Sequence, residues 1–223
     1  MNYSTSCKYS IRLTEKLKSL DNQNVLDFEL INKAIYWARK YHGDQKRKSG
    51  EPFYSHPLEV AYMISDYNLK TDVIVTSILH DIVEDTEVTV GMIHGTFGKR
   101  IGEMVDMLTR DRPDGSKLSI EQVLNKIYEK QDEEVLLIKL FDRLHNLDTL
   151  DSTTLQKQLG TKLETVSLFP LVCIFLDSID FDELLTCNLS SEKSSFTSSI
   201  DEFYQKSGAG CLTSNKFIEI IKS

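Results

Sequence analysis

The apolar residues of this chain recur at intervals of three and four, the spacing of a helix that buries one face. The clearest example runs from Leu26 to Tyr41, with Asp27 near its start. The same reasoning predicts helices over residues 56–64, 71–83, 89–97, 101–108, 119–130, 132–150 and 153–177. No segment of the sequence alternates apolar and polar residues between hairpin turns, as half-buried strands do. The pattern predicts an all-α fold.

The periodicity weakens at both ends of the chain. Residues 1–25 show no sustained repeat and predict an N-terminal leader that is either mobile or a short docking helix. Residues 190–199 contain six serines and no aliphatic residue, and a weak helical stretch follows at 215–222. We therefore predict one helical domain over residues 26–185 and a Ser-rich C-terminal tail over residues 186–223.

Charge and composition limit the possible partners. The formal net charge of −8 argues against a protein that wraps a nucleic-acid polymer, because neutralising phosphates needs a basic surface. The sequence contains neither a signal-peptide pattern nor the roughly 20 apolar residues that span a bilayer. The four cysteines are scattered, which fits a reducing compartment. We expect a cytoplasmic protein that binds neither membrane nor nucleic-acid polymer, and its oligomeric state is left open.

A His-Asp pair is the strongest chemical signal. His80 and Asp81 end an apolar run, and Glu84 and Asp85 follow. If the stretch is helical, Glu84 lies four residues after His80 and Asp85 lies four after Asp81, so each pair shares a face. Two potential metal ligands and two potential acid/base groups would then cluster at one helix end.

Other segments offer further ligands. His56 precedes Pro57, while Asp142 and His145 lie on a strongly amphipathic predicted helix. Two imidazoles and two carboxylates would supply four ligands and leave two positions of a six-coordinate ion open. Such mixed nitrogen and oxygen ligation suits Mn²⁺ or Fe²⁺, with Zn²⁺ possible. His42 and His94 belong to no such pattern and are expected to be structural.

Each of these residues also has a structural interpretation. A single histidine such as His56 is more often a satisfied structural residue than a ligand. The polar stripe that contains Asp142 is, taken alone, more often a solvated helix face. Agreement among several segments is therefore needed to favour a site.

Three ordered stretches of the chain provide that agreement. Residues 47–61, 79–86 and 138–147, with Phe97-Gly98 between the last two, resemble the hydrolase domain of the RelA/SpoT alarmone family, a branch of the HD phosphohydrolases. The resemblance extends from about residue 31 to about residue 150. It implies an HD-domain helical bundle that holds one metal ion between helices.

The resemblance also implies an activity and a set of site residues. In that family the domain binds one Mn²⁺ and removes pyrophosphate from the 3′ position of ppGpp or pppGpp, giving GDP or GTP. The implied metal ligands are His56, His80, Asp81 and Asp142. Glu84, our first choice, and Asp85 would orient or deprotonate the attacking water.

A guanosine polyphosphate substrate carries several negative charges, which an acidic protein must offset locally. Arg47 and Lys48, just before His56, can do so, although a solvated basic loop is the ordinary interpretation. By resemblance, Ser49, Asn146 and Thr149 would contact the nucleoside.

One departure from the family keeps two alternatives open. The family usually has an arginine where this chain has Asp148. The chain could therefore be a phosphohydrolase for another nucleotide, or a catalytically weak nucleotide-binding module whose tail contacts a partner. Too few residues follow Leu150 to hold the family's synthetase domain, which predicts a stand-alone hydrolase, a split fragment or a truncated chain.

Overall fold

Our structure is a computed structural model, and it describes residues 7–176. Within that range the chain forms ten α-helices and one 3₁₀ turn, and no strand longer than an isolated bridge. The helices are α1 Lys8–Leu20, α2 Phe28–His42, α3 Ser55–Ile64, α4 Thr71–Leu79, α5 Ile82–Asp85, α6 Val90–Phe97, α7 Lys99–Leu108, α8 Ile120–Lys130, α9 Glu133–Asp148 and α10 Leu155–Leu176. The all-α prediction is confirmed.

The chain divides into two compact units, one ending at His145 and the other beginning at Asn146. In the first unit, α4 packs against α2, α3 and α7. Every side chain from Val73 to Leu79 is buried, which explains why this segment reads as a continuous apolar run rather than a one-sided helix. The central position of α4 brings the residues that follow it into the interior of this unit.

The helix predicted over residues 71–83 is interrupted. α4 ends at Leu79, and His80 and Asp81 form a turn before α5. The Asp81 carbonyl then accepts from the backbone N–H groups of Glu84 and Asp85, both at 3.1 Å, which starts the short new helix. The predicted ligand pair His80-Asp81 and the acidic pair Glu84-Asp85 therefore lie on consecutive turns rather than on one continuous helix.

Residues 8–20 form α1, and this helix packs against α3. Leu13 and Leu17, four residues apart, are fully buried. Lys16 donates to the Tyr62 carbonyl at 2.6 Å. This packing differs from a mobile leader and matches a docking helix, because Leu13 and Leu17 bury one face of α1. The domain limits at residues 25/26 and 185/186 stay predictions.

In the second unit, the 3₁₀ turn Leu150–Ser152 precedes α10. The predicted Ser-rich tail over residues 186–223 lies outside the described residues. No helix within residues 7–176 is long and apolar enough to cross a membrane.

Candidate metal centre

Four side chains that are distant in sequence meet inside the first unit. His56 comes from the first turn of α3, His80 and Asp81 from the turn after α4, and Asp142 from α9. His56 Nε2 lies 3.1 Å from Asp142 Oδ1 and 3.4 Å from Asp81 Oδ2. His80 Nε2 lies 3.1 Å from Asp81 Oδ1 and 3.7 Å from Asp142 Oδ1. The structure brings together all four predicted ligands.

His80 shows that this cluster fits a cation. Its Nδ1 lies 2.7 Å from the Ser77 carbonyl, which can only accept, so Nδ1 carries the hydrogen. In the neutral ring, the buried Nε2 then carries a lone pair and lies beside the carboxylates of Asp81 and Asp142. This nitrogen has no hydrogen-bond partner among the described residues. One ligand atom each of His56, His80 and Asp142 lies within 4.8 Å of the other two, a spacing that could hold a metal ion.

The electrostatics of the cluster point the same way. Burial lowers the pKa of His80, but the carboxylates of Asp81 and Asp142 outweigh it and hold that pKa well above its ordinary value. Conversely, burial raises the pKa of Asp81, while the rings of His80 and His56 lower it to about 2. The field of the site therefore favours positive charge between these groups.

His145 stands behind His56 rather than among the ligand atoms. The Nδ1 atoms of the two rings are 2.8 Å apart, so one must donate to the other. Burial, followed by the charges of His56 and Arg47, lowers the pKa of His145 to about 3, which keeps that ring neutral. If His56 Nε2 binds a metal, His56 Nδ1–H donates to His145. Hydrogen-bond acceptors of this kind hold the rings of metal-bound histidines in a fixed orientation.

Asp142 is held by a buried lysine on its own helix. Lys139 Nζ donates to Asp142 Oδ2 at 2.7 Å, while Oδ1 faces the two histidines. Burial raises the pKa of Asp142, but Lys139 and the neighbouring rings of His56 and His80 keep it well below its ordinary value. The carboxylate is therefore ionised and offers one oxygen to the centre.

Glu84 and Asp85 have different surroundings. Glu84 Oε1 accepts from the Arg110 N–H at 2.6 Å, and Oε2 lies 3.3 Å from Lys117 Nζ. The Asp85 side chain is exposed. Loss of hydration, followed by the negative charges of Asp81 and Glu84, raises the pKa of Asp85 to about 6. Glu84 thus anchors a loop, and Asp85 has a carboxyl group whose pKa is raised.

The predicted substrate-binding residues fall into two groups. Arg47 Nη1 lies 3.4 Å from His145 Nδ1. Burial lowers the pKa of Arg47, and the negative charges of Asp81 and Asp142 offset part of that effect. Lys48 and Ser49 are exposed in the turn that Gly50 N–H closes onto the Arg47 carbonyl at 2.9 Å. Among these basic-loop residues, the structure therefore brings Arg47 to the centre.

Asn146 and Thr149 belong to the second unit, which begins at Asn146. Thr149 Oγ1 lies 3.5 Å from the Asn146 carbonyl. Their proposed contact with a nucleoside stays a prediction.

His42, whose sequence context predicts a structural role, also lies in this region. Its ring is buried and stacks on Phe53. Burial lowers the pKa of His42, the charge of Asp81 raises it, and the charges of His80 and His56 lower it. His42 lies at the end of α2, and no spacing relative to the ligands marks it in the sequence. Its nearness to the centre results from the packing of α2 against α4 and α5.

The chain is similar to known proteins. Residues 34–172 match the family model described as the HD domain. A protein of Mycoplasma pneumoniae named probable guanosine-3′,5′-bis(diphosphate) 3′-pyrophosphohydrolase is 34% identical over 151 residues, which cover 63% of this chain and 21% of that protein. A Brucella ovis protein named GTP pyrophosphokinase rsh is 39% identical over 145 residues, which cover 63% of this chain and 19% of that protein. The chain spans about a fifth of the length of these relatives.

A solved structure is also similar. It is described as a metazoan ortholog of SpoT that hydrolyzes ppGpp and plays a role in starvation responses. It aligns with a TM-score of 0.48 and 21% identity, over 81% of this chain and 96% of that one.

Proposed function

This chain belongs to the HD domain family, and we propose that it is a metal-dependent guanosine-3′,5′-bis(diphosphate) 3′-pyrophosphohydrolase. The proposed reaction converts ppGpp or pppGpp and water to GDP or GTP and pyrophosphate. The water oxygen bonds to the phosphorus attached at O3′, the P–O3′ bond breaks, and O3′ takes up a proton. The observation that carries this proposal is the buried cluster of His56, His80, Asp81 and Asp142.

We assign the metal to these four side chains. Their mixed nitrogen and oxygen donors suit Mn²⁺, with Fe²⁺ or Zn²⁺ as alternatives. A divalent cation bound there would polarise a phosphoryl oxygen and make water more acidic. His145 and Lys139 would hold His56 and Asp142 in orientation through the contacts described above.

The acidic pair would manage the attacking water. A base works best when its pKa lies near the working pH, and the Asp85 pKa of about 6 meets that condition. We therefore assign proton acceptance to Asp85. Glu84, our first choice from the sequence, would act mainly by anchoring the loop that contains Arg110.

Charge balance supports the assigned substrate class. Arg47, half-buried beside the centre, would offset phosphate charge, and Lys48 would add to it from the exposed turn. Ser49, Asn146 and Thr149 would contact the nucleoside. We also propose a cytoplasmic location and a hydrolase domain over residues 26–185, on the composition and periodicity of the sequence.

Pyrophosphate release from ppGpp tests the proposal. The full chain, loaded with Mn²⁺, should release pyrophosphate and GDP, and Asp81→Asn should abolish the release along with metal binding. Asp114→Asn is a matched control, because Asp114 lies in an exposed turn and bonds to Ser116. Absence of turnover at micromolar ppGpp, with metal shown to be bound, would reject the proposed function.

Asp148 supports testing a second candidate, hydrolysis of another nucleotide. It is exposed at the C-terminal end of α9, where a negative charge opposes the helix dipole and gains nothing for helix stability. A panel of nucleotides, assayed with the parent protein and Asp148→Arg, separates the candidates. Faster ppGpp turnover in Asp148→Arg would show that Asp148 disfavours this polyanion in the parent protein.

A further inference from the structure

The amide of Gln45 is oriented by a backbone carbonyl. Gln45 Nε2 donates to the Asp85 carbonyl at 2.8 Å, and Gln45 Oε1 lies 3.0 Å from His42 Nδ1. A carbonyl oxygen only accepts, so the reversed amide would place two oxygens against each other. The amide nitrogen must face Asp85, and the amide oxygen must face His42.

This orientation determines which nitrogen of His42 carries the hydrogen. Because Gln45 Oε1 only accepts, His42 Nδ1 must donate, and in the neutral ring Nε2 is then an acceptor. Burial lowers the pKa of His42, which keeps the ring neutral near pH 7. The contacts therefore specify one tautomer.

The acceptor that results has no partner within the protein. His42 is 1% exposed, and its Nε2 is buried without a hydrogen bond to any residue in the described part of the chain. Buried polar atoms are nearly always hydrogen-bonded. This nitrogen is thus suited to receive a donor that is not part of the chain.

Two short paths connect His42 to the reaction centre. Its ring stacks on Phe53 at 4.8 Å, and the Phe53 carbonyl accepts from the His56 N–H at 3.1 Å. On the other side, Gln45 joins His42 to the backbone of Asp85. His42 is one residue removed from a proposed ligand and one removed from the proposed proton acceptor. Ionised carboxylates and phosphates cannot donate, so water is the donor that suits this position.

We infer that His42 is a positioning residue of the proposed hydrolysis, whose Nε2 accepts a hydrogen bond from the attacking water. The inference rests on the proposed function. One hydrogen of the water points to His42 Nε2, and the proposed proton acceptor Asp85 takes the other proton as the oxygen bonds to phosphorus. The two hydrogen bonds leave an oxygen lone pair to face the phosphorus.

The tautomer is measurable without catalysis. In the metal-free full chain with ¹⁵N-labelled histidine, NMR should show the hydrogen of His42 on Nδ1, with the signals assigned by their loss in His42→Asn. Gln45→Met removes the acceptor and should remove this preference. A hydrogen on Nε2 in the parent protein would overturn the inference.

Kinetics test the role of the acceptor. His42→Asn can keep an amide N–H toward Gln45 but lacks an atom at the Nε2 position. It should lower kcat for ppGpp by about 10- to 100-fold, the usual effect of losing such a supporting contact, and leave KM and Mn²⁺ affinity within about twofold. His42→Gln can place an amide oxygen near the Nε2 position and should recover part of kcat. An unchanged kcat in His42→Asn, or a loss of Mn²⁺ affinity instead, would contradict the inference.

The control is His94→Asn, the same substitution on α6, where the ring packs against Gly102. It should retain the parental kcat.

Failure of the proposed function and failure of the inference about His42 can be told apart. If the parent protein does not hydrolyse ppGpp, the proposed function fails and the NMR measurement alone decides whether Nε2 is an acceptor. If the parent protein is active and His42→Asn is equally active, only the inference fails.

Discussion

Asp81 touches both histidines of the metal centre with different oxygens. Its Oδ2 faces His56 Nε2 at 3.4 Å and its Oδ1 faces His80 Nε2 at 3.1 Å. Neutral imidazoles add no charge to a metal site, so the Asp81 carboxylate would supply part of the negative charge that offsets a bound cation. Asp81, the residue next to His80 in sequence, therefore lies beside both rings in space.

The raised pKa of Asp85 predicts how the rate of ppGpp hydrolysis should change with pH. Its raised pKa means that the carboxylate gains a proton as pH falls through about 6, and a protonated Asp85 cannot accept a proton from water. At saturating Mn²⁺, kcat/KM for ppGpp should fall about tenfold per pH unit below the inflection, which bound metal would shift to lower pH. Asp85→Asn should lower kcat by roughly 10²- to 10⁴-fold and remove the inflection.

A pH–rate profile of the parent protein and the variant measures this effect, with Asp114→Asn as the control. If Asp85→Asn kept both the rate and the inflection, Asp85 would not be the proton acceptor.

The short helix α5 is tied to the segment that follows α7. Glu84 accepts from the Arg110 N–H, and Arg110 Nε in turn donates to the Leu118 carbonyl at 2.8 Å. Glu84→Ala would leave the part-buried Arg110 N–H without its partner, which costs about 1–3 kcal/mol of unfolding free energy. Hydrogen exchange of residues 110–118 should accelerate, whereas the exposed Glu87→Ala should leave it unchanged. Equal exchange rates in both variants would show that Glu84 does not anchor this loop.

The packing of α1 makes it a stabilising element of the first unit. Leu17 is fully buried, so Leu17→Ala should lower the unfolding free energy by about 2–5 kcal/mol. Ile11, 46% exposed on the same helix, provides the control in Ile11→Ala, which should have little effect. Denaturant titration distinguishes the two, and similar small losses in both would mean that α1 is not firmly docked.

Metal binding should stabilise the molecule because the centre joins α3, the turn after α4, and α9. A ligand at 100 times its dissociation constant adds about 2.7 kcal/mol when it binds only the folded state. Mn²⁺ should therefore raise the midpoint of thermal unfolding in the parent protein and leave Asp81→Asn nearly unchanged. Equal midpoints with and without Mn²⁺ in the parent protein would argue against a metal held by these helices.

Most helices could be predicted from the sequence because their periodicity is local. The segment predicted over residues 119–130 is observed as Ile120–Lys130, and that over 132–150 as Glu133–Asp148. The sequence does not reveal the break at His80-Asp81, because a buried helix and a buried turn have the same apolar composition. The four proposed ligands follow from resemblance to a family, since no spacing rule connects residues 56, 81 and 142.

The all-α class and the chemical types of the ligands follow from the order of residues along the chain, because helical periodicity and short motifs depend on neighbours. The proposed division of roles between Glu84 and Asp85 depends on Arg110, 26 residues from Glu84. The inferred tautomer of His42 depends on the Gln45 amide, which is held by Asp85, 40 residues from Gln45. Such hydrogen bonds exist only after distant segments pack, and a pKa or a tautomer responds to the atoms around a group rather than to its neighbours in sequence. The folded arrangement therefore determines which of the candidate residues can act as ligand, base or acceptor.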